Sequence, residues 1–381
     1  MTKGPMLMVP GPTPVDPSIL EAMGRAPLHF TSREFVRILL ETRDGLRAVM
    51  QTEGDVIILA GSGTMGLESA IANVLGSGDR ALVVSHGKWG ERLVTVCRCY
   101  GVDVTLLSAE PGEVVPLGSI ESALKNGRYK AVLVTHVETS TGVRAPVREI
   151  GLLAREHGCL YLVDGVSSTG AEVEPMDEWG IDVLMAASQK ALGCPPGLTM
   201  LGISPRAVRV RKERASISNH YGDWLEMLRV LQNPTVETHV THPVNAICAL
   251  HQGVRLLLED GLDRRIADHR RRATAMRDGL RAMGFQPLAR EEIAANTVTV
   301  GLYPPGVEDR AFRAALERNG VLVASTGGSL AGKGVRLGHM GYITDLDIVS
   351  CLSVFERVLE GMGQGDILGK GVAAAEKALV R

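Results

Sequence analysis

Between Asp55 and Ile203, short β-branched apolar runs alternate with stretches whose apolar residues recur at helical spacing. Residues 56–59 read as a strand, and 65–75 as a helix with Leu67, Ile71, Val74 and Leu75 on one face. The same alternation predicts strands at 81–85, 102–107, 131–135, 160–163, 183–187 and 198–203, with helices at 89–100, 120–126 and 147–157. The strand runs are apolar throughout rather than every second residue, the pattern of strands buried on both faces of a mainly parallel sheet. Strands alternating with helices predict an α/β fold with the sheet flanked by helices.

From about residue 244 the texture changes. A helical stretch at 246–259 leads into an Arg-rich one at 263–283, whose charges between Arg264 and Arg272 are expected on a solvated helix face. Strands at 297–302, 321–324 and 335–337, with helices at 309–318, 346–359 and 372–380, predict a smaller α+β unit. The expected organisation is a large domain over 1–255 and a small C-terminal domain over 256–381.

Composition narrows the function classes. With 381 residues and a net charge of −2, the chain has a sizeable core and no global attraction to nucleic acid or anionic membrane. No apolar run approaches the roughly 18 residues of a membrane span. Residues 1–14 lack the basic start and apolar stretch of a signal peptide, so a cytoplasmic location is expected. None of the six cysteines stands in a Cys-x-x-Cys pair, and they are expected to be small buried thiols. His239 and His242 have no suitably spaced carboxylate or cysteine, so no metal site is expected.

Four segments carry chemistry. Lys190, in Ser188-Gln189-Lys190-Ala191-Leu192-Gly193-Cys194-Pro195-Pro196-Gly197, follows a buried strand and enters a Gly/Pro-rich turn. Lysines are rarely buried unpaired; an aldehyde cofactor would convert the amine to a Schiff base, and burial would lower its pKa. Alone, a surface lysine at a strand end explains the segment as well. Asp164 ends the apolar run at 160–163 and lies one strand-plus-connection earlier. In an open α/β sheet ligands gather at the carboxyl ends of the strands, which would bring Asp164 and Lys190 together; otherwise Asp164 is a turn or cap residue. Gly61-Ser62-Gly63-Thr64, between a strand and a helix, offers N–H groups and hydroxyls to an anion, or is a tight turn with an N-cap. Trp89, one of three tryptophans, stands just after the 81–85 strand, where a flat side chain could stack on a flat heterocycle or pack in the core.

In this order, these segments resemble the class V, fold-type I aminotransferases, specifically the alanine/serine–glyoxylate/pyruvate transaminase group. The likeness extends over nearly the whole chain. It includes Pro10-Gly11-Pro12-Thr13-Pro14, Thr135-His136-Val137-Glu138-Thr139-Ser140-Thr141-Gly142 and Val335-Arg336-Leu337-Gly338-His339-Met340-Gly341. The resemblance implies pyridoxal 5'-phosphate as cofactor, with Lys190 as its Schiff-base partner and proton shuttle. It implies Asp164 on the pyridine nitrogen and Trp89 stacked on the ring. Ser62, Gly63, Thr64 and Gln189 would bind the phosphate, and Thr139 the ring hydroxyl. Arg336 would clamp the substrate carboxylate, with Pro10, Gly11 and the rest of segment 1–20 near the active site. A homodimer is implied, with Thr241 or His242 reaching the neighbouring subunit's phosphate.

One stretch departs from the group. Thr238-His239-Val240-Thr241-His242-Pro243 lacks the tyrosine usual there, and Thr241-His242 is more similar to 2-aminoethylphosphonate transaminases. Small amino acid and 2-oxo acid substrates are expected: alanine or serine as donor, glyoxylate or pyruvate as acceptor. Aminoethylphosphonate–pyruvate, pyridoxamine–pyruvate and ureidoglycine–glyoxylate transamination stay open, as does a lyase reaction on the same fold. No second arginine stands in a matching motif, so dicarboxylates are expected to be poor acceptors.

Overall fold

The computed structural model describes residues 4–380. In chain order the first half comprises β1 (Met6–Leu7), α1 (Pro17–Met23), α2 (Arg33–Met50), β2 (Asp55–Ala60), α3 (Gly63–Val74), β3 (Arg80–Ser85), α4 (Lys88–Cys99), β4 (Asp103–Ser108), α5 (Leu117–Asn126), β5 (Ala131–Thr135), β6 (Val137–Glu138), β7 (Val143–Arg144), α6 (Val147–Glu156), β8 (Leu160–Asp164), β9 (Val183–Ala187) and β10 (Leu198–Ile203). There follow α7 (Pro205–Lys212), α8 (Trp224–Val230), α9 (Val244–Asp260), α10 (Leu262–Ala282), β11 (Gln286–Pro287), β12 (Val298–Leu302), α11 (Asp309–Arg318), β13 (Val321–Leu322), β14 (Ala324–Ser325), β15 (Gly334–Gly338), α12 (Asp345–Gly361) and α13 (Lys370–Leu379).

Seven strands form the main sheet in the order β2-β10-β9-β8-β5-β3-β4. All its pairings are parallel except those of β10, which runs antiparallel to both β2 and β9. The expected mixed α/β fold is therefore present. The central strands β5, β8 and β9 are buried at every position, because apolar helices cover both faces. One face packs on α2 and α9 through Leu39, Leu46, Leu250 and Val254; the other packs on α3 and α4 through Leu67, Ile71, Leu93 and Val94. At the edge, β4 has only half-buried and exposed residues, contrary to the expectation of strands buried throughout.

A second sheet, β11-β12-β15-β14, sits against α10–α12 around a separate core of Phe285, Phe312, Leu352 and Phe355. The single strand expected at 321–324 is two: β13 pairs with β1, whereas β14 pairs with β15. Helix α9 runs through position 255 with Leu250, Val254 and Leu257 in the large core, and the chain leaves that core at Gly261. Among the described residues, no helix is long and apolar enough to cross a membrane.

The Arg-rich helix α10 is only in part the solvated face expected from its charges: Arg264 and Arg270 are exposed and Arg271 and Arg272 half-buried. Arg265, His269 and Arg277 are buried. Arg265 Nη2 donates to the carbonyls of Ala191 at 3.0 Å and Gly341 at 3.3 Å, and its guanidinium lies over Tyr342. Periodicity placed the charges on a helix but could not say that one side of it caps two buried carbonyls beside Lys190. Arg265→Ala leaves those acceptors without their donor and should cost about 2–3 kcal/mol. The exposed neighbour Arg264→Ala should change stability by less than about 0.5 kcal/mol. Calorimetric unfolding of both variants checks this; equal midpoints would show that Arg265 does not hold the turn.

Candidate active site

The parallel strands and β2 bring their carboxyl ends to one edge. There the segments at the ends of β2, β3, β5, β8 and β9 carry polar groups into a common cavity of about 380 Å³. All the expected site residues except Thr241 line it.

Asp164 closes β8, in register with Thr135 of β5 and Met185 of β9. Its carboxylate is buried and accepts from the Val166 N–H at 3.0 Å and the Thr135 hydroxyl at 3.4 Å. Burial pushes this carboxyl up to about 6. The Val166 N–H opposes that rise, the Glu138 carboxylate adds to it, and the Lys190 ammonium opposes it.

Lys190 follows β9 two residues beyond Ser188. Burial brings its amine down to about 8, Asp164 opposing and Arg336 reinforcing the shift. Nζ donates to the carbonyl of Pro10. Thr13 fixes this loop from the N-terminal side: its N–H donates to Gln189 O at 3.2 Å and its hydroxyl to Lys190 O at 3.0 Å. Gly11 has φ +119, and a Cβ there would lie 2.8 Å from Lys190 Nζ, so no side chain fits between the segment and the lysine.

The β2–α3 turn presents Ser62 as N-cap of α3 with no side-chain cap hydrogen bond, leaving its hydroxyl and the N–H groups of Gly63 and Thr64 for another acceptor, while the Met65 N–H donates to Ser62 O at 2.8 Å. Gly61 permits the turn at φ +148; a Cβ would meet Met65 Cβ at 2.7 Å. Gln189, half-buried beside it, has its side-chain carbonyl oxygen buried without a hydrogen-bond partner.

Trp89 stands in the first turn of α4. Its placement depends on Glu138, a fully buried carboxylate that accepts from the N–H groups of Trp89 at 2.9 Å and Gly90 at 3.2 Å. The other oxygen of Glu138 accepts from the Ser140 N–H at 2.9 Å and the Ser140 hydroxyl at 2.6 Å. Thr139, carried between these anchors, is buried in the cavity wall. Opposite, Arg336 of β15 donates from Nε to Ser325 O at 2.7 Å and from Nη1 to Thr139 O at 3.4 Å, which joins the small sheet to the cavity.

Two contributors were missed from sequence. Glu138 lay within a quoted motif, but only the fold puts its carboxylate under the N-terminus of α4. Arg92 lines the cavity, with its guanidinium carbon 4.4 Å from the Trp89 ring centroid. The expectation of no second arginine is therefore corrected; the i, i+3 spacing from Trp89 on a helix was the available signal. Thr241 is exposed and lies outside the cavity of its own chain, while His242 packs near Phe35, 5.8 Å between ring centroids.

Residues 18–347 match the profile of the aminotransferase class-V family. An uncharacterized aminotransferase of Methanocaldococcus jannaschii is 35% identical over 99% of this chain and 98% of its own length. The L-aspartate–glyoxylate aminotransferase of Paracoccus denitrificans is 33% identical over 99% of this chain and 96% of its own. The crystal structure of ureidoglycine–glyoxylate aminotransferase from Bacillus subtilis superposes with a TM-score of 0.96 at 31% identity, covering 100% of this chain and 99% of that one. Matched in family profile, in end-to-end sequence and in fold, this chain belongs to the class V aminotransferases, in the alanine/serine–glyoxylate group.

Proposed function

We propose that the cavity binds pyridoxal 5'-phosphate and that the chain moves an amino group from a small amino acid, alanine or serine, to glyoxylate or pyruvate. The observation that carries this reading is the pairing of a depressed lysine and a raised carboxyl, Lys190 and Asp164, in one cavity. The donor set fits the cofactor. An uncapped helix N-terminus with Ser62 and Thr64 suits a phosphate, the buried carboxylate suits a protonated ring nitrogen, and Trp89 offers a flat face. When bound, this group supplies an aldehyde that captures amines and a ring that accepts the electron pair left at the substrate Cα.

The chain's residues do the rest. Lys190, at about 8, has roughly a tenth of its amine neutral at pH 7, enough to act as a nucleophile. With the cofactor and substrate bound, Nζ would be the base that takes and returns the proton at the substrate Cα. Asp164 would hold the proton on the cofactor's ring nitrogen. Arg336 orients the substrate carboxylate, while Pro10 and Gly11 cover it and exclude water. Thr241, exposed and outside its own cavity, supports a homodimer in which it serves the neighbouring subunit's phosphate. A dicarboxylic donor such as aspartate is the second reading, and Arg92 is the observation in its favour.

Lys190→Ala should abolish the visible Schiff-base band and lower multiple turnover by at least about 10³-fold. In the unmutated protein, only the neutral amine attacks the aldehyde. The rate of cofactor loading into the cofactor-free protein should therefore rise about tenfold per pH unit below about 8 and level off above it. A loading rate still climbing at pH 10 in stopped-flow absorbance would mean an ordinary lysine.

Asp164→Asn keeps the shape and removes the charge. At saturating cofactor, kcat should fall at least about 100-fold; an unchanged kcat would remove Asp164 from the chemistry.

With Arg336 as the carboxylate clamp, kcat/KM for glyoxylate or pyruvate should exceed that for 2-oxoglutarate by at least about tenfold, because a second carboxylate without a free partner is costly in a dry pocket. Arg336→Lys should raise the KM of the oxo acid, since an ammonium cannot make the two-pronged contact. Equal kcat/KM for the two acceptor classes in steady-state assays would favour the dicarboxylate reading.

A further inference from the structure

One charged side chain of the cavity has no part in the steps above. Arg92 lies in the first turns of α4, three residues beyond Trp89. Its Nη1 donates to Thr64 Oγ1 at 3.1 Å, and its guanidinium carbon lies over the Trp89 ring, 4.4 Å from the centroid. The contacts of this cation are thus a hydroxyl and an aromatic face rather than a carboxylate.

A threonine hydroxyl has one proton to donate and two lone pairs to accept with. Arg92 occupies a lone pair of Thr64, which leaves the Thr64 proton for an acceptor on the other side. Thr64 sits in the first turn of α3, where the helix N-terminus already favours an anion and Ser62 makes no cap bond. A guanidinium stacked on an indole is held in plane by the aromatic face, and its charge stays fixed next to the loop. Glu138 pins the same first turn of α4 through the Trp89 and Gly90 N–H groups, so Arg92 projects from a fixed support.

We propose that Arg92 is a positioning residue for the phosphate end of the cofactor: it turns the Thr64 hydroxyl into a phosphate donor, adds a positive charge behind it, and ties the ring-stacking Trp89 to the phosphate loop. This rests on the reading that the cavity takes pyridoxal phosphate. It also assigns Arg92 away from the substrate's second carboxylate. Its Nη1 is committed to the α3 turn, whereas Arg336 holds the opposite wall next to Thr139.

The test compares two aldehydes that differ only by the phosphate. Cofactor-free protein is titrated with pyridoxal phosphate and with pyridoxal, followed by visible absorbance, for the unmutated chain, Arg92→Gln, Arg92→Lys, Thr64→Val and the Arg92→Gln/Thr64→Val double variant. Arg92→Gln should weaken pyridoxal phosphate by about 10- to 100-fold, the range of a charge-assisted hydrogen bond, and pyridoxal by less than about threefold. Arg92→Lys should recover part of the loss, because it restores the charge without the planar contacts. Thr64→Val should show the same phosphate-selective loss, and the double variant should lose less than the product of the single effects, because the two groups act together.

Equal losses for both aldehydes would overturn the proposal and leave Arg92 with a purely structural role. An unchanged phosphate preference together with a selective loss of aspartate or 2-oxoglutarate turnover would overturn it in favour of substrate recognition. Failure of the unmutated chain to bind either aldehyde would instead overturn the cofactor reading on which the proposal rests.

Discussion

The removal of Asp164 and Lys190 from water is the constraint around which the rest of the molecule is arranged. Desolvation favours the neutral form of each group, raising the acid and lowering the base. For the acid, the folded state is disfavoured progressively as pH rises from the ordinary 3.8 through about 6. For the base, it is disfavoured as pH falls from the ordinary 10.5 through about 8. Their mutual attraction offsets part of both costs. A fold that keeps such groups exposed to each other and not to bulk water must hold their backbones rigidly, and the parallel sheet does this by ending β5 and β8 at one level, with β9 running on past Met185 to Ala187.

Rigidity is built outward from that edge. Arg265 caps the carbonyl of Ala191 directly after the lysine, and Thr13 ties down Gln189 and Lys190 from the opposite side. Glu138 is a third buried charge, and its four hydrogen bonds from Trp89, Gly90 and Ser140 are what make that burial tolerable. The same carboxylate counters Arg336 and raises Asp164, so Trp89, Arg336 and Asp164 share one electrostatic neighbourhood.

Much of this was legible in the chain. Strand runs such as Ala131–Thr135 and Val183–Ala187 are uniformly apolar because both faces are covered, and their ends announce the edge where chemistry collects. Helix α2 was not anticipated, although Phe35, Val36, Leu39, Leu46, Val49 and Met50 keep helical spacing between Glu34, Arg37, Glu41 and Asp44, because the strand–helix alternation followed in the sequence starts only at β2. What was hidden depends on contacts between distant segments. The run Arg264 to Arg272 has the composition of a solvated face, and only docking against Ala191 and Gly341 buries Arg265. Residues 321–325 have one extended texture but serve two sheets, which periodicity cannot divide. Arg92 and Glu138 sat beside recognised motifs, yet their roles come from where α4 begins relative to the β6–β7 hairpin.

The N-terminal segment has a consequence for the order in which the molecule can be assembled. β1 pairs with β13, and Met8 joins both Leu322 and Gly338, while Pro10 and Gly11 meet Lys190 and Thr13 locks its loop. Residues 6–13 therefore emerge long before their partners at 321–338. The seven-stranded sheet can pair once β10 has emerged, but the roof of the cavity must wait for β13 and β15. Until then the cavity edge is open on that side, and it becomes a closed pocket only when residues 6–13 meet β13 and β15.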